Sequence, residues 1–144
     1  GRTPGATLVD DVVDQQLAEW SPSYAADGRT IDVQGERGAV VQGAPGAVSL
    51  VLATLLENSL VHGGGRTKVA VRRAESAVVV QVSDEGPGVP AGLAQHVFER
   101  SVSGGGGHGV GLALARSTAE SAGGRLELTT ASSATFALFL HEAR

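Results

Sequence analysis

Residues 47–65 read AVSLVLATLLENSLVHGGG. Leu50, Val51, Thr54, Leu55, Asn58 and His62 recur at the helical period, so Ala47 to His62 predicts a helix. Gly63-Gly64-Gly65 is the stop signal that ends it. Immediately outward, Thr67 to Arg73 and Ala77 to Val82 predict two strands. The short link Ala74-Glu75-Ser76 makes them an antiparallel hairpin. A long Leu- and Ala-rich helix feeding a hairpin already implies helices laid on a sheet.

The flanks extend the pattern. On the N-terminal side, Val12, Val13, Leu17 and Trp20 place a helix over Asp10 to Trp20, stopped by Ser21-Pro22. Thr30 to Gln34 alternates as a strand, and Gly38 to Gln42 gives a second short one before a Gly-Ala-Pro-Gly turn. On the C-terminal side, Asp84 to Pro90 is a loop rich in Gly and Pro, followed by a short helix around Ala91 to Val97. Ser101 to Gly109 is a glycine-dominated segment. Val110 to Ala122 predicts a helix with Gly123-Gly124 as its stop. Arg125 to Thr129 and Thr135 to Leu140 close the chain as strands around Ala131-Ser132-Ser133. The expected fold is a two-layer α/β sandwich, a mixed sheet packed against helices.

At 144 residues and 42% hydrophobic, the chain suits one domain with one core, expected over residues 1–144. Aromatics are only 3%, so Val, Leu and Ala must do the packing. A net charge of -4 argues against nonspecific nucleic-acid binding, which needs a basic surface. The absence of Cys excludes disulfides and thiolate metal sites and is consistent with a reducing compartment. No apolar stretch approaches the ~20 residues that span a bilayer, and no signal-peptide pattern opens the chain. The abrupt start Gly1-Arg2-Thr3-Pro4 reads as a cut piece of something longer.

Three separated segments carry chemistry. On the long helix, Asn58 sits among apolar residues. Its amide carbonyl suits Mg²⁺ if phosphates and waters supply the other oxygens, or else it bonds a neighbouring backbone group. His62, one turn later on the same face, either meets a phosphate or interacts with the helix dipole. Next, Asp84-Glu85-Gly86-Pro87-Gly88-Val89-Pro90 follows a strand. A carboxylate there accepts, so it can receive the exocyclic amine of adenine and discriminates against guanine. Gly86 and Gly88 let backbone approach a flat ring. The plain alternative is an ordinary Asp turn. The third segment, Gly104 to Leu114, runs glycines into a helix start, where free N–H groups hold phosphates; alone it would also pass for a linker. It is not a Rossmann fingerprint, because no first βαβ unit surrounds it. Nor is it a Walker A loop, because no Lys-Ser or Lys-Thr follows the glycines.

In this order, the three segments resemble those of the Bergerat-fold ATPases: histidine kinases, the ATPase half of gyrase, mismatch-repair MutL and the related heat-shock chaperones. Asn58 with its flanks resembles the N box, and Asp84-Glu85-Gly86-Pro87-Gly88 the G1 box. Phe98-Glu99-Arg100 is similar to the F box, and Gly107-His108-Gly109-Val110-Gly111-Leu112 to the G2 box. The likeness runs from about Leu8 to Leu140. Leu55 to Gly63, Val97 to Arg100, and Gly111 to Arg116 followed by Gly123 to Leu128 point within that group to the catalytic and ATP-binding domain of histidine kinases.

The resemblance implies γ-phosphoryl transfer from Mg-ATP, leaving ADP, to a histidine on a separate helical hairpin that also dimerises. Asn58 would hold Mg²⁺, Asp84 would select adenine, Gly86, Gly88 and Val89 would shape its pocket, and Thr135 would support the base through a water. Gly107, Gly109 and Gly111 would present phosphate donors, with Val110 among the ATP-binding residues, Leu112 anchoring the lid helix and Phe98 belonging to the F box. Thr54 stands where the ATPases carry a glutamate base, and a hydroxyl cannot activate water in that way. Val61 replaces a common cation, and the lid from Phe98 to Gly109 is short, which leaves Arg100 and His108, with His62, as candidates for phosphate contact. The acceptor hairpin is not found before residue 8. The expected partners are that hairpin and a response regulator, with no nucleic acid. The isolated domain is expected to be monomeric and cytoplasmic, and its parent a membrane-anchored sensor. An anti-sigma-type serine kinase and a nucleotide-binding pseudokinase module are the alternative readings.

Overall fold

The computed structural model describes residues 5–99 and 109–143, with only the backbone described at Gly109 and Val110. The chain order is β1 (Ala6–Leu8), α1 (Val9–Ala26), β2 (Ile31–Gly35), β3 (Val40–Gln42), α2 (Pro45–His62), β4 (Thr67–Ala74), β5 (Ala77–Asp84), α3 (Ala91–Ala94), α4 (Gly109–Ser121), β6 (Arg125–Thr130) and β7 (Thr135–His141). Five strands form one sheet in the order β2-β4-β5-β7-β6. The β2–β4 pair is parallel and the others are antiparallel, so the sheet is mixed. The parallel step needs a crossover, and α2 supplies it. Helices cover one face, which is the expected two-layer α/β sandwich.

The inner face is built from alternate strand residues. Val69 and Val71 on β4, Val78, Val80 and Val82 on β5, Leu126 on β6 and Phe136, Leu138 and Leu140 on β7 are all buried. Val48, Val51, Leu52, Leu55 and Leu56 of α2 pack down on them, with Val12 and Val13 of α1 and Leu112, Ala115 and Ala119 of α4. β-branched residues suit this pleated layer, which explains how so few aromatics suffice.

The periodic residues of α2 separate into two stripes. Val51 and Leu55 face the core, whereas Leu50 is 38% exposed and Thr54 and Asn58 are half-buried. The second stripe is therefore free to line a site.

Several expectations are corrected. β1 was not anticipated: three residues are too few to alternate, and they form by pairing antiparallel with β3. The first helix does not stop at Ser21-Pro22 but runs through Pro22 to Ala26. The Ser21 hydroxyl donates to the Leu17 carbonyl at 2.6 Å. Beyond Pro22, Tyr24 is fully buried and its hydroxyl donates to the Leu56 carbonyl at 2.6 Å. Proline cannot donate to the Ala18 carbonyl, but that residue is exposed and water can serve it. Tertiary packing thus overrides the local break. Pro22→Ala is expected to raise stability by about 1 kcal/mol, a few degrees in a thermal melt; a lower midpoint would show that the proline suits its site. α3 is also shorter than expected, ending at Ala94. The expected segment Ser101 to Gly109 lies outside the described residues but for the last.

Candidate nucleotide-binding site

Asp84 is the last residue of β5, beside the C-terminal end of α2. Its two oxygens are held from three sides. The Ser59 hydroxyl donates to Oδ2 at 2.8 Å, while the backbone N–H of Gly86 donates to Oδ1 at 2.7 Å and that of Gly64 at 3.3 Å. An ionised carboxylate only accepts, so three donors fix its plane without exhausting its lone pairs. Gly63 lies directly against it: a Cβ there would come within 2.2 Å of Oδ2. The glycine stop that ends α2 therefore also admits the carboxylate.

The loop after Asp84 is tied on both sides. Glu85 N–H donates to the Gly64 carbonyl at 2.9 Å, and Arg66 N–H donates to Glu85 Oε1 at 2.8 Å. Val89 N–H donates to the Ala131 carbonyl at 2.7 Å, pinning the loop to the β6–β7 turn. Gly88 has φ +80°, and a Cβ on it would sit 2.4 Å from the Ser132 carbonyl oxygen. Both conformation and space demand glycine here. Gly86 is equally tight, with a Cβ position 2.6 Å from Gly64 N. Thr135 opens β7 just beyond that turn, its hydroxyl 2.8 Å from that of Ser133.

The second half of the site is a narrow cleft between α2 and α4. Thr54, Glu57, Asn58, Val61 and His62 line one wall, and Gly111 and Leu112 the other. Asn58 immediately precedes Ser59, so one turn of α2 sends Ser59 inward to Asp84 and Asn58 toward α4. The Thr54 hydroxyl donates to the Leu50 carbonyl at 2.9 Å, so its proton is committed within its own helix. Gly111 allows the close approach: its Cβ position is 3.5 Å from the Thr54 methyl carbon. Leu112 is buried in the core and anchors the start of α4. Phe98 packs edge-on to Phe136 at 5.9 Å, with the Arg116 guanidinium 4.5 Å over its ring.

The structure thus brings Asn58, His62, Gly111 and Leu112 to one cleft. Asp84, Gly86, Gly88, Val89 and Thr135 come together at the adjoining loop. Phe98 lies between Phe136 of β7 and Arg116 of α4. Arg100, Gly107 and His108 lie outside the described residues, as does the side chain of Val110, while Gly109 opens α4. The sequence reading missed Ser59, Gly63, Thr67 and the buried Arg29, none of which follows an apolar period.

Among the described residues, no three His, Cys, Asp or Glu side chains converge into a metal cage. A divalent ion would therefore need oxygens from its nucleotide besides the Asn58 amide, which is how Mg²⁺ is commonly held. The fit to an adenine nucleotide rests on the fixed acceptor at Asp84 and on glycines that keep its surroundings clear.

Residues 43–144 match the family described as histidine kinase-, DNA gyrase B-, and HSP90-like ATPase. The signal transduction histidine-protein kinase AfsQ2 of Streptomyces coelicolor is 35% identical over 102 residues, which is 67% of this chain and 19% of that protein. The sensor histidine kinase GtrS of Pseudomonas aeruginosa is 37% identical over 117 residues, 79% of this chain and 24% of its own length. The chain therefore spans a quarter or less of either relative. Among solved structures, the mycobacterial sensor histidine kinase MprB superposes with a TM-score of 0.81 at 20% identity, covering 95% of this chain and 97% of that one. That likeness concerns the fold.

Proposed function

The chain belongs to the histidine kinase-, DNA gyrase B-, and HSP90-like ATPase family, and from that premise we propose that it is the ATP-binding catalytic domain of a two-component sensor histidine kinase. Its reaction is transfer of the ATP γ-phosphoryl group to a histidine on a separate dimerisation hairpin, with a response regulator downstream. The observation that carries this reading is the fixed Asp84 carboxylate beside a cleft lined by Asn58 and the glycine-led start of α4.

Asp84 accepts the exocyclic amine of adenine, and the cramped Gly86 and Gly88 let the loop after it pack against the end of α2 and the β6–β7 turn. Asn58 presents its carbonyl to Mg²⁺, and the bound ion spreads the charge of the phosphates during transfer. Gly111 and the helix start behind it offer backbone donors to the phosphates. Thr54, whose hydroxyl donates to the Leu50 carbonyl, is too weakly basic to activate water. ATP is thus spared for the acceptor, and a hydroxyl rather than a carboxylate at position 54 favours this reading over an anti-sigma-type serine kinase. Phosphoryl transfer then depends mainly on positioning.

Among the described residues, no helix is long and apolar enough to cross a membrane. The reading places the domain on the cytoplasmic side of a membrane-anchored parent.

The test is phosphotransfer from labelled ATP to a histidine-bearing dimerisation hairpin supplied in trans. Label on that histidine, lost when the histidine is replaced, supports a kinase. ATP binding without transfer to any hairpin would favour a nucleotide-binding module, a reading that the apolar Val61 at the cleft, 49% exposed, keeps in play. Asn58→Ala is expected to remove the Mg²⁺-dependent part of ATP affinity, about tenfold, while leaving metal-free binding unchanged. Equal losses with and without Mg²⁺ would assign Asn58 a structural role instead.

A further inference from the structure

Arg29, between α1 and β2, is buried, with a side chain only 7% exposed. Its Nε donates to the Gly65 carbonyl at 2.8 Å, its Nη1 to the Leu60 carbonyl at 3.1 Å and its Nη2 to the Ser59 carbonyl at 3.1 Å. The guanidinium carbon lies 5.0 Å from the centre of the Tyr24 ring, and Tyr24 itself serves the Leu56 carbonyl. A cation thus closes the negative end of α2 and holds the glycine turn beyond it.

One further contact leads into the site. Arg29 Nη2 also donates to Thr67 Oγ1 at 3.3 Å, Thr67 Oγ1 is 2.8 Å from Ser59 Oγ, and Ser59 Oγ is 2.8 Å from Asp84 Oδ2. The proton directions follow from donor counting. A guanidinium only donates and a carboxylate only accepts. Ser59 must spend its single proton on Asp84, so Thr67 spends its own on Ser59 and accepts from Arg29. All three protons therefore point the same way, and a buried chain of this kind is mutually polarised and begins at a fixed charge.

We propose that Arg29, acting through Thr67 and Ser59, is a positioning residue for base selection: it holds the Asp84 carboxylate in the orientation that accepts the adenine amine. This inference rests on the adenine reading of Asp84. Thr67→Val keeps the shape of the side chain and interrupts the relay, leaving the carbonyl bonds of Arg29 in place. Ser59→Ala cuts one step nearer. Both are measured by calorimetric titration with ATP and GTP, alongside thermal melts. Each is expected to weaken ATP binding about 3- to 30-fold and to lower the ATP-over-GTP preference, whereas Thr67→Ser retains both. In an Asp84→Asn background, Thr67→Val should add nothing to the loss of preference. A lower melting temperature with unchanged affinity and preference would overturn the relay, leaving these residues a structural role only. Additive losses in the double variant would overturn it too. A failure of the wild type to bind ATP would instead sink the adenine reading, and this inference with it.

Discussion

Asp84→Asn is expected to lower ATP affinity about 10- to 150-fold and to erase discrimination between ATP and GTP, which corresponds to the 1.5–3 kcal/mol of a hydrogen bond to a charged group. The substitution keeps the shape and exchanges one acceptor oxygen for an NH₂ donor. The surroundings suit neither orientation of the amide without a rearrangement. With its oxygen at the Oδ1 position, it satisfies Gly86 and Gly64 N–H, but its NH₂ then faces the Ser59 hydroxyl, which already donates that way. With the amide reversed, the NH₂ meets two fixed backbone donors. Either arrangement removes the charge and exchanges one acceptor oxygen for a donor, which weakens the site for the adenine amine, itself a donor. Ser59 can reverse its hydroxyl, so the fold survives and the melting temperature falls by only a few degrees. Calorimetric titration with ATP and GTP, paired with a thermal melt, separates the two effects. Unchanged ATP affinity in a folded Asp84→Asn protein would remove Asp84 from base recognition.

The fold was legible where one physical signal dominated. The helix α2 and the β4–β5 hairpin announce themselves because burial on one side imposes a period, 3.6 in the helix and 2 in the strands. Asp84 could be placed at a strand end for the same reason: the apolar run of β5 stops just before it. Other features depend on partners far away in sequence. Pro22 is a local break that the burial of Tyr24 outweighs, and nothing near residue 22 signals that burial. β1 exists only because β3, more than thirty residues later, pairs with it. Arg29 reads as one more surface cation until α2 offers its terminal carbonyls from thirty residues downstream. Ser59 was hidden by its neighbour, because Asn58 drew the chemical reading while the hydroxyl reaching Asp84 belongs to the next residue. Single-residue polar partners have no period, so a sequence shows the element that carries them but not the bond.

Gly88→Ala is expected to cost about 3 kcal/mol or more of stability, and ATP binding with it, because two penalties add at one residue. The first is conformational: φ is +80° at Gly88, and a non-glycine residue held in the left-handed region loses about 1–2 kcal/mol. The second is steric. The new methyl would lie 2.4 Å from the Ser132 carbonyl oxygen and 2.6 Å from that of Ala131, so backbone has to move. That backbone cannot retreat without loss. Val89 N–H is bonded to the same Ala131 carbonyl, and the turn already holds Ala134 at φ +45°. Moving the turn away breaks the bond that pins the loop after Asp84 and shifts the start of β7 at Thr135. A protein of this size should then melt about 6–12 °C lower. Gly92→Ala is the matched control: its φ is ordinary and a Cβ there meets nothing within 4 Å, so it should melt within a degree or two of wild type. If Gly88→Ala also melts as wild type, the loop and the β6–β7 turn are not the rigid pair described. Asp84 would then be positioned from α2 alone.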